Sequence, residues 1–244
     1  MIGRAFRMQA RSLLHDAVLL WMLVAAFAMS VLVAAGAPPE VAEAPPSSRA
    51  AILAPVGVVV AVYGAVLAAV YGSFRYTVDR RDGVLAQRLM LQRRPTVLLT
   101  RVPSAAVGGA FVSLAAVVGA HAAFGVALGG LPIDGSAVGR TLLLGAVAGV
   151  YGLGVGLVVQ SHLVALFIAP MSLAAGLLVV AVWPAMAAHL PLLTLLEALD
   201  FDVSAAGLAA SDRLDRPVAI LVSTGWMLFG LLGGGALFLL RDLP

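Results

Sequence analysis

Four histidines (His15, His121, His162 and His189), the Ser161–His162 pair and the acids Asp134 and Glu197 are the residues that could ligate a metal, attack a carbonyl or carry a proton. None has the company that such chemistry needs. Zinc sites draw on paired ligands such as His-Glu-x-x-His, and no such spacing occurs here. Adjacent residues on a helix do not face each other, so Ser161 and His162 read as a turn pair, and no Gly-x-Ser-x-Gly accompanies them. Asp134 and Glu197 fall at loop edges, where solvated charge is the ordinary role. The absence of Cys removes disulfides, thiolate metal sites and Cys nucleophiles. There is no Lys and no Gly-x-x-x-x-Gly-Lys-Ser/Thr, so the chain has no P-loop lysine of its own for nucleotide phosphates. What remains is arginine. Seven of the fifteen (Arg75, Arg80, Arg81, Arg88, Arg93, Arg94 and Arg101) lie in one stretch, FRYTVDRRDGVLAQRLMLQRRPTVLLTRVP, residues 74–103.

The rest of the chain is too apolar for a soluble domain. Hydrophobic residues make up 62% and charged residues 11%, with mean hydropathy +1.06. Soluble domains run at roughly 45–50% and about 25%. An integral membrane protein is expected, all-α, with residues 1–244 forming a single transmembrane domain and no segment polar enough for a separate core. A pI near 9.9 could point to nucleic acid. The positive charges gather on one predicted side of the membrane, however, and topology accounts for them without nucleic acid. Basic residues drawn only from Arg, with much Ala, Val, Leu and Gly, indicate a GC-rich coding source.

About 20 residues cross a ~30 Å hydrocarbon core as a helix, and the charge-free runs divide accordingly. Residues 1–16 place Arg4, Arg7 and Arg11 on one stripe opposite Ile2, Phe6 and Leu13, which predicts an interfacial helix. A signal peptide is the rival reading, but its apolar core would be shorter than the run found here. Between Asp16 and Glu40, 23 uncharged residues form a first span. APPEVAEAPPSSR, residues 37–49, is an outer loop, and Arg49 to Arg75 encloses the second span, with Pro55 near its outer end. The third span starts at Pro103, in a first turn that tolerates proline, and its uncharged run of 32 residues, 102–133, calls for a tilt or a frayed end near Gly129 and Gly130. The 56 uncharged residues between Arg140 and Glu197 hold two spans with a turn at Gln160, Ser161 and His162. The first of these carries Gly145, Gly149, Gly152, Gly154 and Gly156, spaced for close helix contact. The second carries Pro170, which predicts a kink. Residues 184–216, broken by proline and five acids, read as one or two short outer helices at or dipping into the membrane surface. A sixth span, Pro217 to Leu240, ends the pattern.

With this topology the side bearing both chain ends carries 11 Arg and the opposite side four. Positive charge marks the cytoplasmic side, so both termini are expected there. Tyr63, Tyr71 and Trp183 read as packing or anchoring aromatics. No acid or base is expected deep in a span, which argues against ion-coupled transport and favours an apolar or amphipathic cargo.

The arginine-rich stretch reads as a short helix, a break at Arg93-Arg94-Pro95, and a second helix entering the third span, because a residue before proline is pushed out of the α region. Leu85 and Leu89 share one face of the short helix, with Arg88 on its flank, a face that could meet lipid headgroups or a partner's groove. Asp82, Gly83, Val84, Leu85, Arg88 and Leu89, the break at Arg93, Arg94 and Pro95, and then Leu98, Leu99 and Arg101 resemble the first cytosolic loop of ATP-binding-cassette (ABC) type-2 permeases. Asp82 stands where many members have Glu, and Arg93-Arg94-Pro95-Thr96 replaces a Pro-x-Ser-Arg turn.

The resemblance implies a non-catalytic exporter permease in a bacterial inner (plasma) membrane. It implies a coupling loop at 74–102 in which Arg80, Arg81, Asp82, Gly83, Leu85, Arg88, Leu89, Arg93 and Arg94 meet a partner ATPase. It further implies two separate nucleotide-binding subunits that carry the ATP and Mg, with no cofactor on this chain, and a second permease chain, identical or related. The alternatives are a stand-alone secondary transporter or channel and, with no supporting constellation, an intramembrane enzyme.

Overall fold

The structure, a computed structural model, describes residues 12–13, 16–36, 40–128, 134–204, 206–207 and 213–240. Among these residues there are ten helices and no strand: α1 (Ala17–Ala35), α2 (Glu40–Glu43), α3 (Pro46–Arg81), α4 (Val84–Leu91), α5 (Arg94–Leu128), α6 (Gly135–Val159), α7 (His162–Val179), α8 (Pro184–Ala187), α9 (Pro191–Ala198) and α10 (Arg216–Leu240). Six of them, α1, α3, α5, α6, α7 and α10, are long and apolar enough to cross a membrane. The expected interfacial helix with Arg4, Arg7 and Arg11, the frayed end expected near Gly129 and Gly130, and Asp212, Arg241 and Asp242 lie outside the described residues.

Local signals set the helix ends. Asp16 caps α1, its Oδ1 accepting from Val18 N at 3.0 Å and Leu19 N at 3.2 Å, and Asp134 caps α6 through Ser136 N at 2.9 Å. Side-chain acceptors at this position satisfy amides that have no partner within the helix. Gln160 ends α6 in the left-handed region at φ 62, and Ser161 is extended before α7 begins. The turn expected at residues 160–162 is therefore present.

Two expected boundaries move. α3 begins at Pro46 and continues to Arg81, and α5 begins at Arg94 with Pro103 inside it. Most of the 74–102 stretch thus consists of the last turns of α3 and the first turns of α5, and only residues 82–93 leave those two helices. At about 1.5 Å per residue, helices of 36 and 35 residues are each roughly 50 Å long, well beyond a ~30 Å apolar layer.

α3 and α6 form the interior. Within their most apolar stretches 61% of residues are buried, against 22% in α1, α7 and α10, whose outward faces carry Trp21, Phe167 and Phe229. The glycines explain how α6 reaches this position. A Cβ on Gly152 would overlap the Ala69 carbonyl oxygen, one on Gly149 the Ala105 carbonyl oxygen, and one on Gly109 the Gly145 carbonyl oxygen. Without side chains at these points the backbones of α3, α5 and α6 touch directly, the small-residue packing that replaces hydrophobic drive between helices in lipid. The pairing of Ala69 with Gly152 and of Ser73 with Gly156 makes α3 and α6 parallel, whereas Ala105 with Gly149 and Gly109 with Gly145 make α5 and α6 antiparallel.

The two short helices expected before the last span are α8 and α9. Every residue of α9 except Glu197 is buried, and the helix packs on α7 and α10. Burial holds the Glu197 carboxyl above its ordinary range; Arg213, 3.9 Å away, offsets part of this, and Asp200 and Asp202 add to it.

Two predictions follow from the packing and the burial. Gly152→Val drives a side chain into backbone and is expected to exceed the ~1–3 kcal/mol cost of ordinary overpacking, collapsing the monodisperse yield in detergent. Gly139→Ala, where a Cβ meets nothing within 4 Å, leaves the yield unchanged. For Glu197 the folded state holds the proton more tightly than the unfolded chain. That contribution is full below the usual Glu range and is lost as pH rises through the raised folded value. Glu197→Gln is therefore expected to raise Tm at pH 7 and to match the parent near pH 4, measured by a pH series of thermal unfolding.

Candidate functional site

The arginine-bearing end of the bundle is organised by a line of alternating charges. Asp16 at the head of α1 meets Arg75 on α3, Nε to Oδ2 at 2.7 Å. Arg75 meets Asp79 one turn further along α3, Nη1 to Oδ1 at 3.2 Å, and Asp79 Oδ2 meets Arg101 Nη2 on α5 at 2.7 Å. Asp16, Asp79 and Arg101 are 6%, 4% and 4% exposed, so the line runs inside the protein. Tyr71 donates its hydroxyl to Asp16 Oδ2 at 3.2 Å, and the Arg101 guanidinium lies 5.3 Å from the Tyr76 ring centroid. A void of about 10 Å³, the size of one water, adjoins Tyr71, Arg75 and Arg101. Two carboxylates and two guanidiniums thus tie α1, α3 and α5 together with no net charge.

These charges stand in the last turns of α3 and the first turns of α5, inside the bundle at its α4 end and not deep along the spans. Asp79 and Arg101 are buried structural charges with Arg75 half-buried beside them, and none of the three is part of a solvated loop. Part of the signal was present in the sequence. Arg75 and Asp79 stand at i and i+4, the spacing of a helical ion pair. The partners Asp16 and Arg101 are supplied only by the folding of the bundle.

α4 rests on this line. Gly83, at φ 73, turns the chain out of α3, a conformation in which only glycine is unstrained. Leu85 is 1% exposed and packs with Tyr76, Val97 and Phe238, with Leu89 alongside. The Leu85–Leu89 face therefore points into its own bundle, and the Tyr76 ring joins it to Arg101. The opposite face is free. Met90 and Leu91 are 87% and 79% exposed, and Arg81, Asp82, Ala86, Gln87 and Arg93 are exposed beside them. The expected short helix and the break before Pro95 are both present, with Gln92 extended.

The remaining arginines fasten this end to its neighbours. Arg81 Nη1 lies 3.2 Å from His162 Nε2 at the start of α7, and Arg94 Nη1 donates to the Leu239 carbonyl oxygen at 3.0 Å, on the last turn of α10. Arg80 is partly exposed, with Nη1 buried and making no hydrogen bond, and Arg88 is partly exposed on α4. Of the predicted residues, Arg81, Asp82 and Arg93 face outward, whereas Leu85, Leu89 and Arg94 serve the protein's own packing.

No group of three or more His, Cys, Asp or Glu side chains that could hold a metal occurs among the described residues. The fold and this site define an all-helical protein with six helices of membrane-crossing length, a multi-pass transmembrane architecture. Comparison of the chain with protein-family models and with curated proteins finds no match.

Removing one partner of a buried ion pair costs about 3–5 kcal/mol because the other charge is stranded, whereas apolar replacement of both can be neutral. Asp79→Leu is expected to lower the detergent-extracted Tm sharply. Asp79→Leu with Arg101→Met restores most of the loss, since Arg75 keeps Asp16. A double variant no more stable than the single would show that the pair does not act as a unit.

Proposed function

We propose that this chain is the membrane-spanning permease subunit of a type-2 ABC exporter. In this reading it forms the substrate path with a second permease chain and is driven by two separate ATPase subunits. The observation that carries the reading is the seating of α4. The helix bridges the tips of the two longest helices, and its Leu85 face packs with Tyr76, whose ring meets Arg101. Its opposite face presents Ala86, Gln87 and Met90 outward, flanked by the exposed Arg81 at the end of α3 and Arg93 before α5. In this reading a push on the outer face of a helix held in this way passes into α3 and α5.

ATP and Mg would reside on the partner subunits, since this chain has no P-loop lysine. Their closure on ATP would favour one arrangement of the bundle over another, and transport follows as a population shift. Positive charge on the α4 side supports a reading in which that end and both chain ends are cytoplasmic, and the resemblance to exporter permeases supports the inner (plasma) membrane.

The buried Asp16 and Asp79 favour a second reading, an ion-coupled secondary transporter, because ionisable groups within spans commonly carry coupling ions. Against it, each carboxylate already holds an arginine.

Affinity purification of the tagged chain from its native membrane separates the two readings. A soluble ATPase subunit is expected to co-purify in stoichiometric amount, and Arg81→Glu with Arg93→Glu, both at exposed positions, is expected to lower its recovery at least tenfold while the permease remains folded. Transport in vesicles that follows a pH gradient and ignores ATP would reverse the assignment.

A further inference from the structure

At the end of the bundle away from α4, a cavity of about 490 Å³ lies between the first half of α3, the last half of α5, the start of α6 and the loop after α9. Small-molecule sites run from roughly 300 to 1,000 Å³ and are mostly apolar with a few placed polar groups. Here the floor is apolar and buried, formed by Leu53, Val58, Val60, Ala120 and Phe201. The rim carries Asp134, Asp200 and Asp202 against Arg140.

The arginines at the rim are already engaged. Arg140 Nη1 donates to the Asp200 carbonyl oxygen, its guanidinium lies 5.7 Å from the Phe201 ring centroid, and Nη1 is 3.8 Å from the Asp200 carboxylate. Arg213 sits 3.6 Å from Asp202 and 3.9 Å from Glu197. Arg213 meets Asp202 from outside the lining, so three acids, Asp134, Asp200 and Asp202, line the cavity with one arginine, Arg140. Asp200 is held there by its backbone at φ 59, a region uncommon for residues other than glycine and seen where surrounding structure imposes it. Its side chain is 75% exposed.

We propose that this cavity binds a hydrophobic organic cation, with an alkyl or aromatic body on the Leu53–Val60–Phe201 floor and an ammonium group against Asp200 and its neighbours. Both halves of the ligand answer to the site. Apart from the rim charges the polar side chains of the lining are His121 and Thr141, whose Nδ1 and Oγ1 already meet the Val117 and Ala137 carbonyl oxygens of their own helices. The wall therefore offers a solute chiefly apolar contact, and the rim carries a surplus of negative charge that opposes an anion. The inference does not depend on an ATPase partner, because the cavity lies wholly within this chain at the far end from α4.

Two substitutions probe the site without disturbing the bundle. Gly57 lines the cavity, and a Cβ there meets nothing within 4 Å, so Gly57→Leu fills the cavity while raising helix propensity. Asp200→Asn removes the charge with a residue that tolerates the left-handed region. The protein in lipid nanodiscs is titrated with decyltrimethylammonium and with decyl sulfate, and thermal unfolding is followed. The cation is expected to raise Tm by several degrees and the sulfate to leave it within one. Gly57→Leu is expected to abolish the rise while its own Tm holds, and Asp200→Asn to shift the titration several-fold to higher concentration. Should Gly57→Leu fold poorly, Ala137→Leu fills the same space from α6. An equal response to the sulfate, or a full response in the filled variants, would overturn the proposal.

Discussion

A guanidinium among apolar helices is tolerable only when carboxylates reach it, because the cost of taking each ion out of water is several kcal/mol. The line Asp16–Arg75–Asp79–Arg101 meets that condition by alternation, each interior charge having an opposite charge on both sides. The requirement constrains much else. It fixes the head of α1 against α3, since Asp16 must cap its own helix and pair with Arg75 at once. It fixes the register of α3 against α5, since a shift of one turn, about 5.4 Å, would part Asp79 from Arg101. And it fixes the platform for α4, since the Tyr76 ring lies between Arg101 and Leu85.

Ion pairs hold the helices laterally at one end, while along their length the glycines act. Gly109, Gly145, Gly149 and Gly152 remove the side-chain layer between α3, α5 and α6, so the backbones of these three helices are in direct contact. Packed interiors respond to displacement by switching between discrete arrangements and not by gradual deformation. The proposed exporter depends on this property: a push on α4 arrives at helices that cannot slide past one another. α1, α7 and α10, with far more exposed apolar surface, are the elements free to meet lipid or a second chain.

The two ends of the molecule differ in kind. At the α4 end Asp16, Asp79 and Arg101, the buried charges among the described residues, pair within the chain, which suits a rigid seat. At the other end acids outnumber bases around a cavity of about 490 Å³, which suits a visiting cation. The glycine-packed α3, α5 and α6 run between the two sites.

The sequence by itself determined the helical class, six apolar segments, the turn at residues 160–162 and the short helix after Gly83. These follow from charge-free run lengths, from glycine and proline, and from polar clusters, all of which act over a few neighbouring residues. The close helix contacts were legible in the spacing of Gly145, Gly149 and Gly152, though not which helices they would touch. Tertiary structure alone decided that Asp79 and Arg101 are buried with Arg75 half-buried beside them, that Leu85 faces inward and that α5 runs from Arg94 through Pro103. An arginine near a span reads as solvated until a carboxylate from elsewhere in the chain is brought within about 3 Å of it. Here those carboxylates lie 59 and 22 residues away, at Asp16 for Arg75 and Asp79 for Arg101. No local rule carries that far; only the folded packing of α1, α3 and α5 brings the charges together.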